Sequence, residues 1–239
     1  MPELLISGGC SFSTMSPGYK FINWPRWLSN GLGLTTDKTC HTGRIGQGNG
    51  LISRHVIFQV EQALKHTLAE NLLVGIVWSG PWRHDFFEEI DIPATDQYSV
   101  DVIGKGSTNW RIINHHWEDE HSSLFYRHFG SYTGSVVNSY EHILRTQWYL
   151  SQHRVPYFMS VITEEVLPVT QRQHAEIGYL HDMIDFDHFL PIPHGLFEWA
   201  RDQSGLAFAD HDPGHLTSEQ NQLFTEQIIL PFLRERNYV

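Results

Sequence analysis

The sequence predicts an α/β protein, built as a three-layer α/β/α sandwich around a mostly parallel sheet. Apolar runs rich in β-branched residues alternate along the chain with longer segments whose apolar residues recur at helical spacing. Residues 72–78 are almost wholly apolar, which is typical of a central parallel strand that is covered on both faces. In a sheet of this kind ligands bind at the carboxyl ends of the strands, so these ends are the place to look for a site.

Each element is predicted from its local pattern. Strands are predicted at residues 4–7, 38–41, 72–78 and 155–162. Helices are predicted at residues 24–33, 50–70, 135–153 and 197–200, and from residue 217 towards the end of the chain. Pro231 should kink the last helix, because proline cannot donate the helical hydrogen bond.

Residues from about 86 to 130 are rich in aromatic, histidine and acidic side chains but show no sustained period. They predict an irregular insertion that contains a short hairpin. No internal repeat, heptad run or low-complexity linker divides the chain, so we expect a single domain over residues 1–239.

Composition argues against several classes of protein. Hydrophobic residues make up 41% of the chain, and no apolar run is long enough to cross a bilayer. The net charge of −11 repels phosphate backbones, which argues against nucleic acid as the main ligand. Two cysteines, Cys10 and Cys40, are too few for a disulfide scaffold. The first residues lack the pattern of a secretory signal, so a cytoplasmic protein is the default expectation, and the oligomeric state stays open.

Ser11 follows the first predicted strand and the Gly8-Gly9 turn. A hydroxyl there lies at the carboxyl edge of the sheet, with backbone N–H groups of the next turn nearby, which is a position suited to a nucleophile. The alternative is that Ser11 only caps the turn that follows it.

A second motif lies near the other end of the chain, where Asp212 precedes His215 by three residues, just ahead of the last helix. This spacing lets the carboxylate accept a hydrogen bond from Nδ1 and leaves Nε2 free to take a proton from a serine. The alternative is a helix-capping loop whose histidine points into water.

A third segment, residues 43–49, is a glycine-rich loop between a strand and a helix. Glycine allows backbone N–H groups to approach a ligand closely, so Gly46 and Asn49 are candidate ligand-binding residues. The loop lacks the lysine and hydroxyl residue of a P-loop and the spacing of a dinucleotide motif, so an oxyanion-binding turn fits it better.

These three segments, in this order, resemble the SGNH (GDSL-like) hydrolase family over nearly the whole chain. The family's first block usually reads Gly-Asp-Ser, where this chain has Gly-Cys-Ser, and its last block reads Asp-x-x-His, which matches in full. The resemblance implies a flavodoxin-like fold and a serine esterase without a cofactor. It also implies Ser11 as nucleophile, His215 as general base, Asp212 as its orienting acid, and the N–H groups of Ser11 and Gly46 in the oxyanion hole.

The chain departs from the family after the central strand. There the family usually shows Gly-x-Asn, whose asparagine donates to the oxyanion, whereas this chain reads Trp-Ser-Gly-Pro-Trp-Arg over residues 78–83. Ser79 is the candidate substitute donor, and Arg83 is a candidate contact to the substrate or the oxyanion. Loss of one oxyanion donor typically costs about 10²–10³ in turnover. A non-catalytic carbohydrate-binding or structural descendant of the fold is therefore the main alternative.

Two other chemistries are weighed against the serine. The histidine-rich segment 115–121 favours a solvated loop over a metal site, and a metal-dependent hydrolase would use Asp210, Asp212 and His215 as ligands. Cys10 is a more reactive nucleophile in principle, but its position in the first block is that of a side chain turned into the core.

The expected substrate is a small-molecule or carbohydrate ester. Aromatic rings suit sugar rings and acyl chains, and two of them in the pocket would favour an esterified carbohydrate. The candidate aromatic residues are Trp78, Trp82, Trp110, Trp117 and Tyr126.

Overall fold

The computed structural model describes residues 1–15, 19–89, 99–100, 109–168 and 174–239. The strands in these ranges are β1 (Leu4–Gly8), β2 (Thr39–His41), β3 (Leu72–Trp78), β4 (Arg83–Phe87), β5 (Ser99–Val100), β6 (Trp110–Asn114) and β7 (Tyr157–Val161). The helices are α1 (Trp24–Gly31), α2 (Asn49–Ala63), α3 (Glu120–Phe129), α4 (Tyr132–Gln152), α5 (Ala175–Asp182), α6 (Leu196–Asp202), α7 (Ser218–Phe224) and α8 (Leu230–Glu235).

The main sheet has four parallel strands in the order β2-β1-β3-β7. Its central strand β3 is buried at all seven positions, as its apolar sequence predicts. A parallel bridge between Met159 and Phe189 continues the order beyond β7. The predicted strands and their mostly parallel arrangement are therefore confirmed.

Helices cover both faces of this sheet because successive strand residues point to opposite sides. Ile6, Val74 and Ile76 pack against α2, α4 and α5, whereas Leu5 and Val77 pack against α1, α6, α7 and α8. Burying each of these aliphatic side chains contributes about 1.5–3 kcal/mol to the stability of the folded chain. The predicted three layers are thus present.

Helix α2 is shorter than its sequence predicts. It ends at Ala63 rather than near residue 70, and a short 3-10 turn, Ala69–Asn71, leads into β3. The polar Lys65, His66 and Thr67 offer no apolar face to continue the buried stripe, so the chain leaves the helix there.

The predicted insertion contains an antiparallel sheet in the order β4-β6-β5, so the expected hairpin pairing is present, although residues 90–98 and 101–108 lie outside the described ranges. The sequence did not predict α3, which follows β6. Asp119 caps α3 by accepting a hydrogen bond from Ser122 N, at 3.0 Å. Much of α3 is exposed, so it lacks the continuous apolar stripe that makes a helix readable from sequence.

The last helical segment is interrupted where Pro231 predicts a kink. A π-helical turn, Thr225–Ile229, separates α7 from α8, and Pro231 follows in the first turn of α8. Proline cannot donate to a carbonyl in the preceding turn, and a local π-turn is one way to accommodate it. No helix in the described ranges is both long and apolar enough to cross a membrane.

Candidate active site

Ser11 lies just beyond the carboxyl end of β1, in a 3-10 turn formed by Ser11–Ser13. Gly9 enters this turn with φ of +153°, and a Cβ there would lie 2.2 Å from Ser13 Oγ, so the turn requires glycine. The amide of Asn23 donates to the carbonyl oxygens of Ser11 and Thr14, both at 2.9 Å. Backbone and side chain together therefore hold Ser11 at the sheet edge.

His215 lies in the loop before α7, and Thr217 caps that helix by accepting a hydrogen bond from Gln220 N, at 3.2 Å. Leu216, between them, is almost fully buried, which anchors the loop next to the core. The loop turns tightly at Asp212, whose N–H donates to Ala209 O at 2.9 Å. The histidine therefore lies directly ahead of the helix cap, as the sequence predicts.

The structure brings the three predicted catalytic side chains together across 204 residues of sequence. His215 Nε2 lies 2.9 Å from Ser11 Oγ, and His215 Nδ1 lies 3.1 Å from Asp212 Oδ1 and 3.0 Å from Asp212 Oδ2. An ionised carboxylate can only accept, so Nδ1 carries the proton and Nε2 is free to accept from the serine hydroxyl. This is the hydrogen-bond order that a serine nucleophile requires.

Two aromatic rings lie against the imidazole of His215. The ring of Phe12 lies 5.1 Å from it, centroid to centroid, and the ring of Tyr19 meets it edge-on at 6.3 Å. The Tyr19 hydroxyl is buried without a hydrogen-bond partner in the described ranges, and this burial, followed by the charge of Asp212, raises the pKa of Tyr19. The imidazole is thus held by packing as well as by its carboxylate.

Lys20 is a site residue that the sequence did not reveal. Its Nζ forms an ion pair with Asp212 Oδ2. Burial alone would raise the pKa of Asp212, but hydrogen bonds from Lys20 and His215, together with their charges, lower it to about 2. Asp212 is therefore ionised at neutral pH. Lys20 and Asp212 are nearly two hundred residues apart in the chain, so no local sequence pattern predicts that they pair.

Asn49, a predicted ligand-binding residue, instead braces the fold. Its Nδ2 donates to Ser79 O and to Ser139 Oγ, both at 3.0 Å, and its Oδ1 accepts from Ser79 N at 2.8 Å. Both amide hydrogens are therefore engaged, so Asn49 has none left for an oxyanion. The side chain ties the first residue of α2 to the end of β3.

Ser79 and Arg83 act as a pair. Ser79 is fully buried, and its Oγ accepts a hydrogen bond from Arg83 Nη1 at 2.9 Å. Arg83 lines a cavity beside the predicted catalytic side chains, whereas Ser79 does not. Arg83 thus borders the cavity, and the buried serine hydroxyl holds its guanidinium through a hydrogen bond.

The glycine-rich loop is tied to the first block. Arg44 N and Gln47 Nε2 both donate to Gly9 O, at 3.4 and 3.3 Å. Gly46 has φ of +76°, and the ring of Trp117 lies where its Cβ would be. Hydrogen bonds therefore attach the loop to Gly9, two residues before Ser11, and the backbone of the loop at Gly46 has a conformation that favours glycine.

A cavity of about 240 Å³ adjoins these side chains. Phe12 and Gly214, the neighbours of Ser11 and His215, form one part of its wall. The remaining lining comes from the turn between β3 and β4, the end of β6, the segment after β7 and the start of α6: Gly80, Trp82, Arg83, Asn114, His115, His116, Ile162, Thr163, Glu165 and Phe197. This cavity is the candidate substrate site, because ligands bind at the carboxyl ends of parallel strands.

A larger cavity, of about 740 Å³, lies beyond β7 and is lined by residues such as Ser160, Phe189 and Phe232. Neither the predicted catalytic residues nor their neighbours in the chain border it, whereas Phe12 and Gly214, next to Ser11 and His215, border the smaller cavity. The smaller cavity is therefore the better candidate, because a substrate must come close to Ser11.

The aromatic residues predicted to line the substrate pocket differ in where the structure places them. Trp82 lines the candidate substrate cavity, whereas Trp78 is fully buried in the core. Trp110 packs under the guanidinium of Arg54 at 4.2 Å, and Tyr126 OH donates to Trp82 O. Of the five candidates, Trp82 is the one found among the described residues that line this cavity.

The geometry gives less support to a cysteine nucleophile or to a metal-dependent hydrolase. Cys10 is fully buried and packs in the core beside α1, as the first block predicts. In the ranges that the structure describes, no three side chains of His, Cys, Asp or Glu converge as a metal ion would need. His115 and His116 are instead in ring contact with each other and border the cavity.

No known protein family matches the chain, and no curated protein is similar to it in sequence.

Proposed function

We propose that this protein is a serine hydrolase of the SGNH type that cleaves esters through an acyl-enzyme on Ser11. The observation that carries the proposal is the continuous hydrogen-bonded series from Ser11 Oγ through His215 to Asp212. The four-stranded parallel sheet flanked by helices, with both motifs at one edge, supports an SGNH type of fold.

The chemistry follows from the proton positions. Ser11 Oγ attacks the ester carbonyl while its proton passes to His215 Nε2, and Asp212 stabilises the imidazolium that forms. Collapse of the tetrahedral intermediate expels the alcohol, which takes the proton from Nε2. Water then gives its proton to the same nitrogen and attacks the acyl-enzyme. The bond between the acyl group and Ser11 Oγ breaks, Nε2 returns the proton to Oγ, and the acid is released. No cofactor enters these steps.

The oxyanion needs donors in this proposal. The N–H groups of Ser11 and Gly46 are the proposed backbone donors, and Arg83 replaces the asparagine of the family. Arg83 is suited to this because Ser79 fixes one of its nitrogens and the cavity receives the guanidinium. A charged donor in a partly water-excluded site stabilises developing negative charge strongly.

The test is covalent labelling with a fluorophosphonate, followed by mass spectrometry to locate the label, and hydrolysis of 4-nitrophenyl acetate. We expect label on Ser11, and loss of both labelling and hydrolysis in Ser11→Ala and His215→Ala. Cys10→Ala is the control and should retain most of the activity. A chelator should leave the rate unchanged. Hydrolysis that persists in Ser11→Ala would remove the serine assignment.

A non-catalytic descendant of the fold is the second candidate. It is favoured by the absence of the family's asparagine after β3 and by the full engagement of Asn49. It predicts no labelling of the folded wild-type protein. A carbohydrate ester as substrate has narrower support, since Trp82 is the one candidate ring that lines the cavity.

A further inference from the structure

We infer that the substrate is an ester that carries an anionic group, a carboxylate or a phosphate, and that Arg83 binds this group. The inference rests on the proposed function and names its substrate class. The starting observation is that, within the described ranges, no carboxylate pairs with the positive charge of Arg83.

Arg83 is a partly buried cation at the start of β4. Within the described ranges its guanidinium donates one hydrogen bond, to the neutral Ser79, and has no carboxylate within 4 Å. Arg54 and Arg201, by contrast, bind Asp85 and Asp202 at 2.9 and 2.7 Å. Burying a charge without a partner destabilises the fold, so an arginine that faces a cavity in this state is suited to binding an anion.

The other walls of the cavity add hydrogen-bonding groups. Thr163 lines the cavity, although its Oγ1, which has no hydrogen-bond partner in the described ranges, is itself buried. Asn114, His115 and His116 border the same space. Burial, and then the charges of His116 and Arg83, lower the pKa of His115, so this ring is neutral and can donate or accept. An oxyanion beside Arg83 would therefore meet several polar partners.

The size and the remaining charge of the cavity limit the ligand. About 240 Å³ is below the range of roughly 300–1,000 Å³ typical of drug-sized ligands, so the group is short. Glu165, an exposed carboxylate on the same cavity, would repel a second anion. The geometry therefore fits one anionic group placed a few bonds from the reacting carbonyl.

The experiment compares two esters that differ in one charge. The first is the mono-4-nitrophenyl ester of glutaric acid, and the second is the same compound with its free carboxylate as a methyl ester. Hydrolysis without protein is subtracted for each. We expect kcat/KM to favour the anionic ester in the wild type. In Arg83→Gln the ratio of the two values should fall roughly 10- to 100-fold, because hydrogen bonds to charged groups are worth this factor. The ratio cancels any effect that Arg83 has on both esters through the oxyanion.

Two controls separate the outcomes. Arg83→Lys keeps the charge and should retain part of the preference, whereas Arg127→Gln, an exposed arginine on α3, should retain all of it. Mono-4-nitrophenyl phosphate added as a competitor reports whether a phosphate occupies the same place. Equal rates for the two esters in the wild type, or a ratio unchanged by Arg83→Gln, would overturn the inference while leaving the hydrolase intact. Absence of both hydrolysis and labelling would instead reject the proposed function.

Discussion

The ammonium group of Lys20 and the imidazole of His215 meet at the carboxylate of Asp212, and both lie within ion-pair distance of its Oδ2. His215 Nδ1 lies 3.0 Å from that oxygen, and Lys20 Nζ forms an ion pair with it. The Asp212 side chain is 12% exposed and that of Lys20 is 45% exposed, so the carboxylate is shielded while the lysine partly faces water. Lys20 is thus placed to position Asp212 and, through it, the histidine.

Replacing Lys20 by methionine should shift the acid limb of the kcat/KM profile to higher pH. The hydrogen bond and the charge of Lys20 help to keep the pKa of Asp212 low, so without Lys20 the carboxylate that orients His215 becomes protonated at a higher pH. The fall in kcat should be small, about two- to fivefold, because the pair is partly exposed. The measurement is the pH dependence of ester hydrolysis in the wild type and Lys20→Met.

Lys20→Arg preserves the charge and should restore the wild-type profile, and Lys65→Met, at an exposed lysine distant in sequence, controls for net charge. An acid limb that stays in place in Lys20→Met would show that Lys20 has no influence on the histidine.

Much of the sheet and of the proposed catalytic series can be predicted from sequence because both depend on local patterns. An unbroken apolar run predicts a buried strand such as β3. Ser11 follows a glycine turn and His215 precedes a helix cap, and both of these are local sequence patterns. Parallel topology places Ser11 at the carboxyl edge of the sheet. Asn221 of α7 accepts a hydrogen bond from Trp24 N of α1, and this contact brings the loop of His215 to Ser11 although 204 residues separate the two.

The parts that sequence did not reveal depend on contacts between distant, non-periodic segments. Lys20 and Asp212 pair through tertiary placement alone, and Asn49 is occupied by Ser79 and Ser139 for the same reason. The cavity beside Ser11 is lined by residues from distant regions of the chain. No local sequence pattern predicts that these regions lie next to one another. These are features that tertiary packing fixes.

Asp85 should give the stability of the protein a pH dependence of unusual sign. This residue is on β4, its side chain is 4% exposed, and it binds Arg54. Burial raises the pKa of Asp85 to about 6, and the charge of Arg54 opposes this only in part. A carboxyl whose pKa is higher in the folded than in the unfolded chain favours folding when protonated. Its contribution to the free energy of unfolding therefore decreases as pH rises from about 4 to about 6.

The matched variant is Asp85→Asn, which is neutral at every pH. The free energy of unfolding of this variant minus that of the wild type should grow between pH 4 and pH 6 and stay constant above it. Urea titrations at several pH values measure both quantities. A difference that is flat, or that declines over this interval, would contradict the raised pKa.

Gly9→Ala should damage both the fold and the proposed chemistry. Its φ of +153° disfavours any side chain, and a Cβ would lie 2.2 Å from Ser13 Oγ and 3.0 Å from Val77 O. The Ser13 hydroxyl also accepts from Trp24 Nε1 at 2.9 Å, so it is not free to move aside. We expect a loss of about 1–3 kcal/mol in the free energy of unfolding. The labelling of Ser11 should also slow, because the displaced turn carries the Ser11 hydroxyl away from His215.

Gly33→Ala is the matched control for this change. Gly33 also has a positive φ, of +67°, but no atom lies within 4 Å of the place where a Cβ would be. It therefore isolates the cost of backbone conformation, and Gly9→Ala adds the steric clash beside Ser11. Urea unfolding and the rate of fluorophosphonate labelling at 25 °C measure the two effects. Labelling slowed equally in both variants would mean that the Gly9 turn does not position Ser11. Slowing confined to Gly9→Ala would show that the close packing of Gly9 against Ser13 and Val77 positions Ser11.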